Sequence, residues 1–495
     1  MDLFTKSSFV KINVKGGILS PGTLKEITSS AKKLQVKELY FGERQNIYLR
    51  TYLQVSDIES FKDELGKFDF EINQQNHPNI ISSYVSEDIF TSKNNWLGEG
   101  IYKDVLDSFD YRPKCKINIV DNSQGLVPLF TGNLNFISSE QSNFWYLFVK
   151  HSSFEGIQCW PELIYTGDIS TLAKALEGEL SVNNTVKANL LQLSKILNNS
   201  IRINTVPIRQ ELILPRLRFP NYEGMNKEGE NYWLGIYRRS YSFQIEFLEK
   251  VAELCLECKL GAVYLTPFKS LIIKGIKEDD RFKWEKLLGE YGVNIRHNIS
   301  ELIWKVRDLD DSAVKLKMFL SKSMDNEDVR TYGLTFSIKS GPMDVASSVI
   351  IEKEYEINLF NKIKLLPRYS VYYLPNFDPN RQDPILFSRK ITKYILADDL
   401  MILCRKYYAE LTKENSSSGT QVEKKESEKE KPSITHSYQC QECFTVYNEQ
   451  YGDSLASILP GTSFNLLPPT WNCPVCEAPK SSFHNKNADK TKVLA

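Results

Sequence analysis

The nine cysteines of this 495-residue chain are unevenly placed, and four of them lie between residues 440 and 476. They form two C-x-x-C pairs, Cys440-Gln-Glu-Cys443 and Cys473-Pro-Val-Cys476, with 29 residues between the pairs. A C-x-x-C segment folds into a tight knuckle that turns two thiolates toward one ion, and two knuckles complete a tetrahedral all-sulfur site. Soft thiolates at about 2.3 Å suit zinc or iron, and spacing alone does not separate the two metals. With every position filled by protein, no substrate can reach the ion, so such a centre either staples a fold or passes electrons.

The rest of the chain offers weaker chemistry. Cys255-Leu-Glu-Cys258 falls inside a helical pattern, where buried cysteines at i and i+3 act as small apolar residues. The five histidines (77, 151, 297, 436 and 484) show no metal-binding spacing, and no phosphate-binding or dinucleotide glycine motif is present. Lys and Arg total 62, as do Asp and Glu, so the neutral chain lacks the bulk basic charge of a nucleic-acid binder. The start of the sequence has no signal-peptide pattern, and no apolar run reaches the ~18 residues a membrane span needs. An odd, scattered set of cysteines is not a secreted disulfide framework. The expectation is a cytoplasmic protein without membrane insertion.

Between the knuckles stand Tyr447, Tyr451-Gly-Asp453, Ile458-Leu-Pro-Gly-Thr462, Phe464, Leu466-Leu-Pro468 and Trp471, with Lys480 and Phe483 beyond them. This framework resembles rubredoxin. The resemblance implies one iron held by Cys440, Cys443, Cys473 and Cys476 and cycling between Fe(III) and Fe(II). A zinc-ribbon interaction module shares the knuckles and is the non-redox alternative. Where rubredoxins usually carry glycine after each C-x-x-C, in a turn with positive φ, this chain has Phe444 and Glu477. A side chain there costs of order 1 kcal/mol of backbone strain. Glu442, Glu449, Asp453 and Glu477 outnumber Lys480, which favours a basic surface on a redox partner.

These residues must be positioned by a small domain, 438–485, followed by a tail, 486–495. Before it, residues 412–437 hold Lys and Glu among Ser, Gly, Thr and Gln without an aromatic, and read as a flexible charged linker. Upstream the sequence suggests an internal repeat. Gly16-Gly17, a helical pattern from Leu24 to Leu34 and the strand-like stretch 38–50 are echoed by a helical pattern from Ile245 to Leu254 and the stretch 262–274. A slide of 224 residues lays Tyr40 on Tyr264, Arg44 on Phe268 and Ile47 on Leu271. Each unit reads strand–helix–strand–strand–helix–strand, ending at Phe70–His77 and at Val293–His297. The expected fold class is α+β, in the order 1–77, 78–205, 206–300 and 301–411, with half-domains alternating with two larger α/β domains.

The phrase from Gly16 to Arg50, with Arg44-Gln45-Asn46-Ile47 at its centre, is similar to the ferredoxin-like half-domain of sirohaem-dependent nitrite and sulfite reductases. The resemblance implies duplicated ferredoxin-like half-domains alternating with two nitrite/sulfite reductase-like domains, and a setting in nitrogen or sulfur assimilation. That family binds a [4Fe–4S] cluster through C-x5-C followed by C-x3-C. Cys115, Cys159, Cys255, Cys258 and Cys404 contain no such spacing, so the cluster is not expected in its usual form. Sirohaem carries many carboxylates, and Arg44, Arg50, Arg209, Arg216, Arg218, Lys269 and Lys274 are cations that could meet them. Arg44, Arg50 and Lys269 are the tetrapyrrole candidates. Ordinary surface ion pairs are the favoured reading of these residues. The chain is therefore expected to move single electrons through a tethered rubredoxin centre. The other body would dock a redox partner, a nitrate or nitrite reductase. The alternative is a sirohaem reductase that lacks its own cluster.

Overall fold

The computed structural model describes residues 8–74, 78–91, 96–182, 190–214, 219–341, 346–354, 367–381, 383–417 and 437–485, except 444, 450–451, 454–455, 457 and 459–461. Two compact units divide the chain, 1–417 and 418–495.

The first unit repeats one pattern. Its first long helix, Pro21–Lys33, opens on Ser20, whose side chain accepts the Thr23 N–H at 3.0 Å, and on a proline suited to the first turn. Leu24, Ile27 and Ala31 recur at helical spacing and bury one face. The matching helix, Ile245–Glu257, starts 224 residues later and buries Ile245, Leu248, Val251, Ala252 and Cys255. The same offset relates strands starting at Ile47 and Leu271, strands starting at Ile80 and Trp304, and helices starting at Ile169 and Lys393. The repeat thus includes the larger domains.

The two half-domain sheets exchange strands. One runs Ser242–Gln244, Glu38–Phe41, Ile47–Thr51, Ser8–Ile12, Phe70–Ile72, so its outermost strand comes from the second copy. The other runs Gly224–Glu228, Asn231–Ile236, Leu271–Ile276, Val263–Leu265, Ile18–Leu19, with its last strand from the first copy. Phe243 lies opposite Leu39, and Leu19 opposite Val263. One continuous apolar core joins both copies. The expected closing strand at Val293–His297 does not form. Gly224–Glu228 already occupies that edge, with Met225 opposite Leu234, so Asn231–Ile236, paired on its other side with Leu271–Ile276, has no open side left.

Each larger domain has a mixed sheet. Ile80–Ser82, Ile117–Val120 and Leu134–Ser138 are parallel, and Phe144–Lys150 then pairs antiparallel. Trp304–Val306, Phe336–Lys339 and Val349–Glu354 repeat the parallel set, closed antiparallel by Arg368–Tyr373. The last helix, Lys393–Ser417, enters the stretch expected to be linker from residue 412. The remainder of that linker, and the tail 486–495, lie outside the described residues. Among the described residues, no helix is long and apolar enough to cross a membrane.

The second unit is a three-stranded sheet with Ser437–Cys440 between Val446–Asn448 and Phe483–Asn485. Its core comprises Tyr447, Phe464, Leu467, Trp471 and Phe483 together with Cys440 and Cys473.

Candidate metal centre and the hairpin tips of the body

The two knuckles of the second unit are built alike. Cys440 N–H donates to Thr445 O at 2.9 Å, and Cys473 N–H donates to Ala478 O at 2.8 Å. Each closure brings its two thiols to the same side. The four Sγ atoms lie within 4.8 Å of one another, with Cys440–Cys476 at 3.7 Å and Cys443–Cys473 at 3.5 Å. A regular tetrahedron with bonds of 2.3 Å has edges of roughly 3.8 Å, so the sulfur cage matches the geometry of iron or zinc. The first cysteine of each knuckle is buried, while Cys443 is half-buried and Cys476 exposed. Any electron therefore has its shortest way out along Cys443 and Cys476, the latter next in sequence to the exposed Val475.

The thiols are electrostatically unequal before metal binds. Cys443 is lowered to about 6 by hydrogen bonds from the Thr445 hydroxyl and then the Thr445 N–H. At Cys476 the Ala478 N–H acts downward, but thiols of the other three cysteines outweigh it and push the group up to about 12. Glu477 has φ of 59°, the left-handed turn that glycine usually fills, so this knuckle carries the expected side-chain strain. Phe444 lies outside the described residues.

Two of the four acids expected to face a partner instead hold the domain together. The Glu449 carboxylate accepts the Phe464 N–H at 2.9 Å and the Ser463 hydroxyl at 3.0 Å. Asp453 is buried and accepts the Trp471 indole N–H at 2.8 Å. Charge counting could not separate these from the exposed Glu442 and Glu477. The aromatic framework packs as a unit, with Tyr438 and Phe464 stacked at 4.1 Å between centroids and Trp471 edge-on to Tyr447 at 5.4 Å.

In the body, the repeated β-hairpins reach out of their half-domains. Gly42–Asn46 and Thr266–Ser270 form the same turn, with Gln45 and Lys269 at φ of 55° and 57°. At the first tip, Arg44 is buried, and its guanidinium donates to Asn79 O at 2.7 Å, Ile117 O at 3.1 Å and Asn118 Oδ1 at 3.2 Å. At the second, Lys269 pairs with Asp308 at 2.9 Å, and Phe268 packs on Phe219 at 4.5 Å. Arg50 forms an outer pair with Asp311 at 3.0 Å. Thus Arg50 fits the surface-pair expectation, whereas Arg44 and Lys269 are interior groups held by the neighbouring sheets. Lys274 donates to Tyr84 O and Glu87 O. Arg209 is exposed, and Arg216 and Arg218 lie outside the described residues. The voids beside these tips are small, about 20 Å³ next to Glu43, Arg44 and Lys116 and about 40 Å³ next to Phe219 and Phe268.

Sequence reading missed the buried pair of His297 Nδ1 and Glu223 Oε1 at 2.5 Å, because 74 residues separate the partners. It also missed Lys317, whose pKa burial lowers to about 7 and whose ammonium lies 4.3 Å from the Tyr241 ring centroid. Cys255 and Cys258 sit at the end of their helix, not its start, and burial pushes them up to about 12 and 11. They are unreactive core thiols.

A compact β-unit that gathers four cysteine sulfurs around one point and leaves no open coordination position defines a mononuclear metal–thiolate site. Residues 437–483 match the rubredoxin family profile. The probable rubredoxin HupI of Bradyrhizobium diazoefficiens is 53% identical over 45 residues, which are 9% of this chain and 65% of that protein. Rubredoxin-1 of Chlorobaculum tepidum is 41% identical over 59 residues, 12% of this chain and 86% of that protein. Through this domain the chain belongs to the rubredoxin family, and the domain binds one iron through four cysteines. This chain spans only 16% of the probable rubredoxin HupJ of Rhodobacter capsulatus, at 47% identity. The body has the fold of a different protein. The solved structure of the Mycobacterium tuberculosis NirA protein superposes with a TM-score of 0.60 over 80% of each chain, at 13% identity. The body is nitrite/sulfite reductase-like in fold.

Proposed function

We propose that the iron centre held by Cys440, Cys443, Cys473 and Cys476 exchanges single electrons with a redox protein, and that the body serves as the docking platform for that partner. Iron in four thiolates gains or loses one electron with little rearrangement of its ligands. The chain's own contribution is to hold the sulfurs in place, to supply N–H donors from Thr445 and Ala478, and to expose Cys443 and Cys476 to a partner. The reductase-like fold supports a setting in inorganic nitrogen or sulfur assimilation, and a nitrate or nitrite reductase as the proposed partner. The tether raises the local concentration of the carrier near whatever the body holds.

The observation that carries the docking role is the commitment of the hairpin-tip cations. The voids at the tips are about 20 and 40 Å³, against the roughly 300–1,000 Å³ of pockets for sizeable ligands, while the cavity of about 340 Å³ that adjoins them at Ala346 and Pro379 is lined by Lys150, Lys339 and Arg381 instead. Arg44 and Lys269, which would hold tetrapyrrole carboxylates, are committed to backbone carbonyls and to Asp308. The second reading, a sirohaem reductase fed by its own rubredoxin domain, draws on the NirA-like fold. Absorption spectra of natively produced protein, before and after dithionite, decide the matter. A ferric-thiolate spectrum that bleaches reversibly, without extractable tetrapyrrole, is expected. Extractable tetrapyrrole with nitrite or sulfite turnover overturns the docking role, and stoichiometric zinc without iron overturns electron transfer.

A further inference from the structure

The two knuckles repeat one hydrogen-bond scheme but differ in one donor group. In each, the residue two places after the second cysteine offers its N–H to that cysteine's sulfur, Thr445 to Cys443 and Ala478 to Cys476. Thr445 also carries a hydroxyl, and its Oγ1 lies 3.1 Å from Cys443 Sγ. Ala478 has no such group. A thiol could share its proton with the hydroxyl in either direction, but a metal-bound thiolate has none to give. Once iron is bound, Thr445 must be the donor and Cys443 Sγ the acceptor. The backbone that carries the hydroxyl is fixed, because the Thr445 carbonyl is tied to Cys440 N–H at 2.9 Å and the adjoining strand Val446–Asn448 pairs with Ser437–Cys440.

The geometry points to Thr445 as a positioning residue that raises the reduction potential of the iron centre through a hydroxyl-to-sulfur hydrogen bond on Cys443. This rests on the iron-carrier reading above. Reduction adds one electron to the centre, taking its net charge from −1 to −2; no bond forms or breaks, and the proton stays on Oγ1. Electron density on sulfur increases, so the bond is stronger in the ferrous state and stabilises it relative to the ferric state. The effect is local to one sulfur, and it falls on one of the two ligands nearest solvent, which the opposite knuckle leaves without a matching hydroxyl.

Midpoint potentials of the iron-loaded full-length chain, titrated with dithionite and followed by ferric-thiolate absorption, test the inference. Thr445→Val keeps the shape and removes the donor. It is expected to lower the potential, with the ferrous-to-ferric ratio at fixed potential falling by up to about tenfold, equivalent to 59 mV for one electron. Thr445→Ser should restore the wild-type value. Ala478→Ser, which puts a hydroxyl at the mirrored position, should raise the potential, and it decides the question alone if the valine variant fails to hold iron. Equal potentials for wild type and Thr445→Val, or an unchanged potential in Ala478→Ser where the valine variant holds no iron, overturn the role of the hydroxyl while leaving the carrier intact. A wild-type iron centre that shows no reversible couple overturns the carrier reading itself.

Discussion

At the scale of single residues, burial decides what each charged or sulfur-bearing group can do. Cys440 is fully buried at the base of the first knuckle, so no water can replace its thiolate. Cys440→Ser is expected to lose the ferric-thiolate absorption of the iron-loaded protein, because a hydroxyl is a harder, far less acidic ligand. Retained colour would put the metal elsewhere. In the body, Lys11, Lys305 and Lys317 are buried ammonium groups lowered to about 8, 8 and 7, in each case chiefly by burial. Their folded pKa values lie below the unfolded value, so the unfolded chain binds more protons between about pH 7 and 10. Stability from these groups is therefore lost as pH falls through that window and regained as it rises. Buried thiols such as Cys255 and Cys258, pushed up to about 12 and 11, act in the opposite sense and are common to wild type and a lysine variant. Urea midpoints at pH 7.5 and 9.5 should therefore show a less favourable change with rising pH in Lys317→Met than in wild type, and an identical change would remove Lys317 from the account.

At the scale of elements, the exchanged strands and the hairpin tips make the two copies depend on each other. Gln45 joins three elements: its side chain accepts the Ser82 N–H at 2.9 Å and donates to Ser82 O at 3.0 Å and Leu265 O at 2.9 Å. Gly17, at φ of 70°, lets it approach, since a Cβ there would fall 2.5 Å from the Gln45 side chain. Gln45→Ala leaves a buried N–H and two carbonyls with fewer partners, and each such loss costs about 1–3 kcal/mol. The expected outcome is a loss of roughly 3 kcal/mol in body stability, measured by urea unfolding; a change below about 1 kcal/mol would mean that water or a backbone shift fills the gap. Much of this architecture was legible in the sequence. The 224-residue slide from Tyr40 to Tyr264 carries through to helices that start at Ile169 and Lys393, because local periodicity and turn residues are properties of neighbouring positions. The strand exchange was not legible, since Ile18–Leu19 and Ser242–Gln244 are two and three residues long and carry no strand pattern of their own. Nor was the fate of Val293–His297, which depends on an edge already taken by Gly224–Glu228. The metal centre was the most readable part, as two knuckles and an aromatic framework lie within one short segment. The inward use of Glu449 and Asp453 was hidden, because a count of charges does not say which way a carboxylate points.

At the scale of the molecule, the two units differ in what holds them folded. The body buries a continuous core over both half-domains and another through the larger domains. Among its described residues, the second unit has a core of seven buried residues, two of which are metal-ligating cysteines. A domain this small buries too little apolar surface to offset its ordering entropy comfortably, and four thiols gathered within 4.8 Å add a penalty unless an ion binds them. Metal binding must then supply much of its folding free energy. Calorimetry of the iron-loaded chain should show separate transitions for the two units. Removing iron with an acid or chelator step, followed by return to neutral pH, should abolish the transition of the small unit and shift that of the body little. Tyr447 and Trp471, packed edge-on in the small core, would lose their near-ultraviolet dichroism in the same step. If the apo chain kept both transitions, the aromatic framework would be sufficient by itself and the iron would serve electron transfer alone. If instead the body melted earlier once iron was gone, the two units would be energetically coupled, and the division at Ser417 would not be a boundary of independent folding.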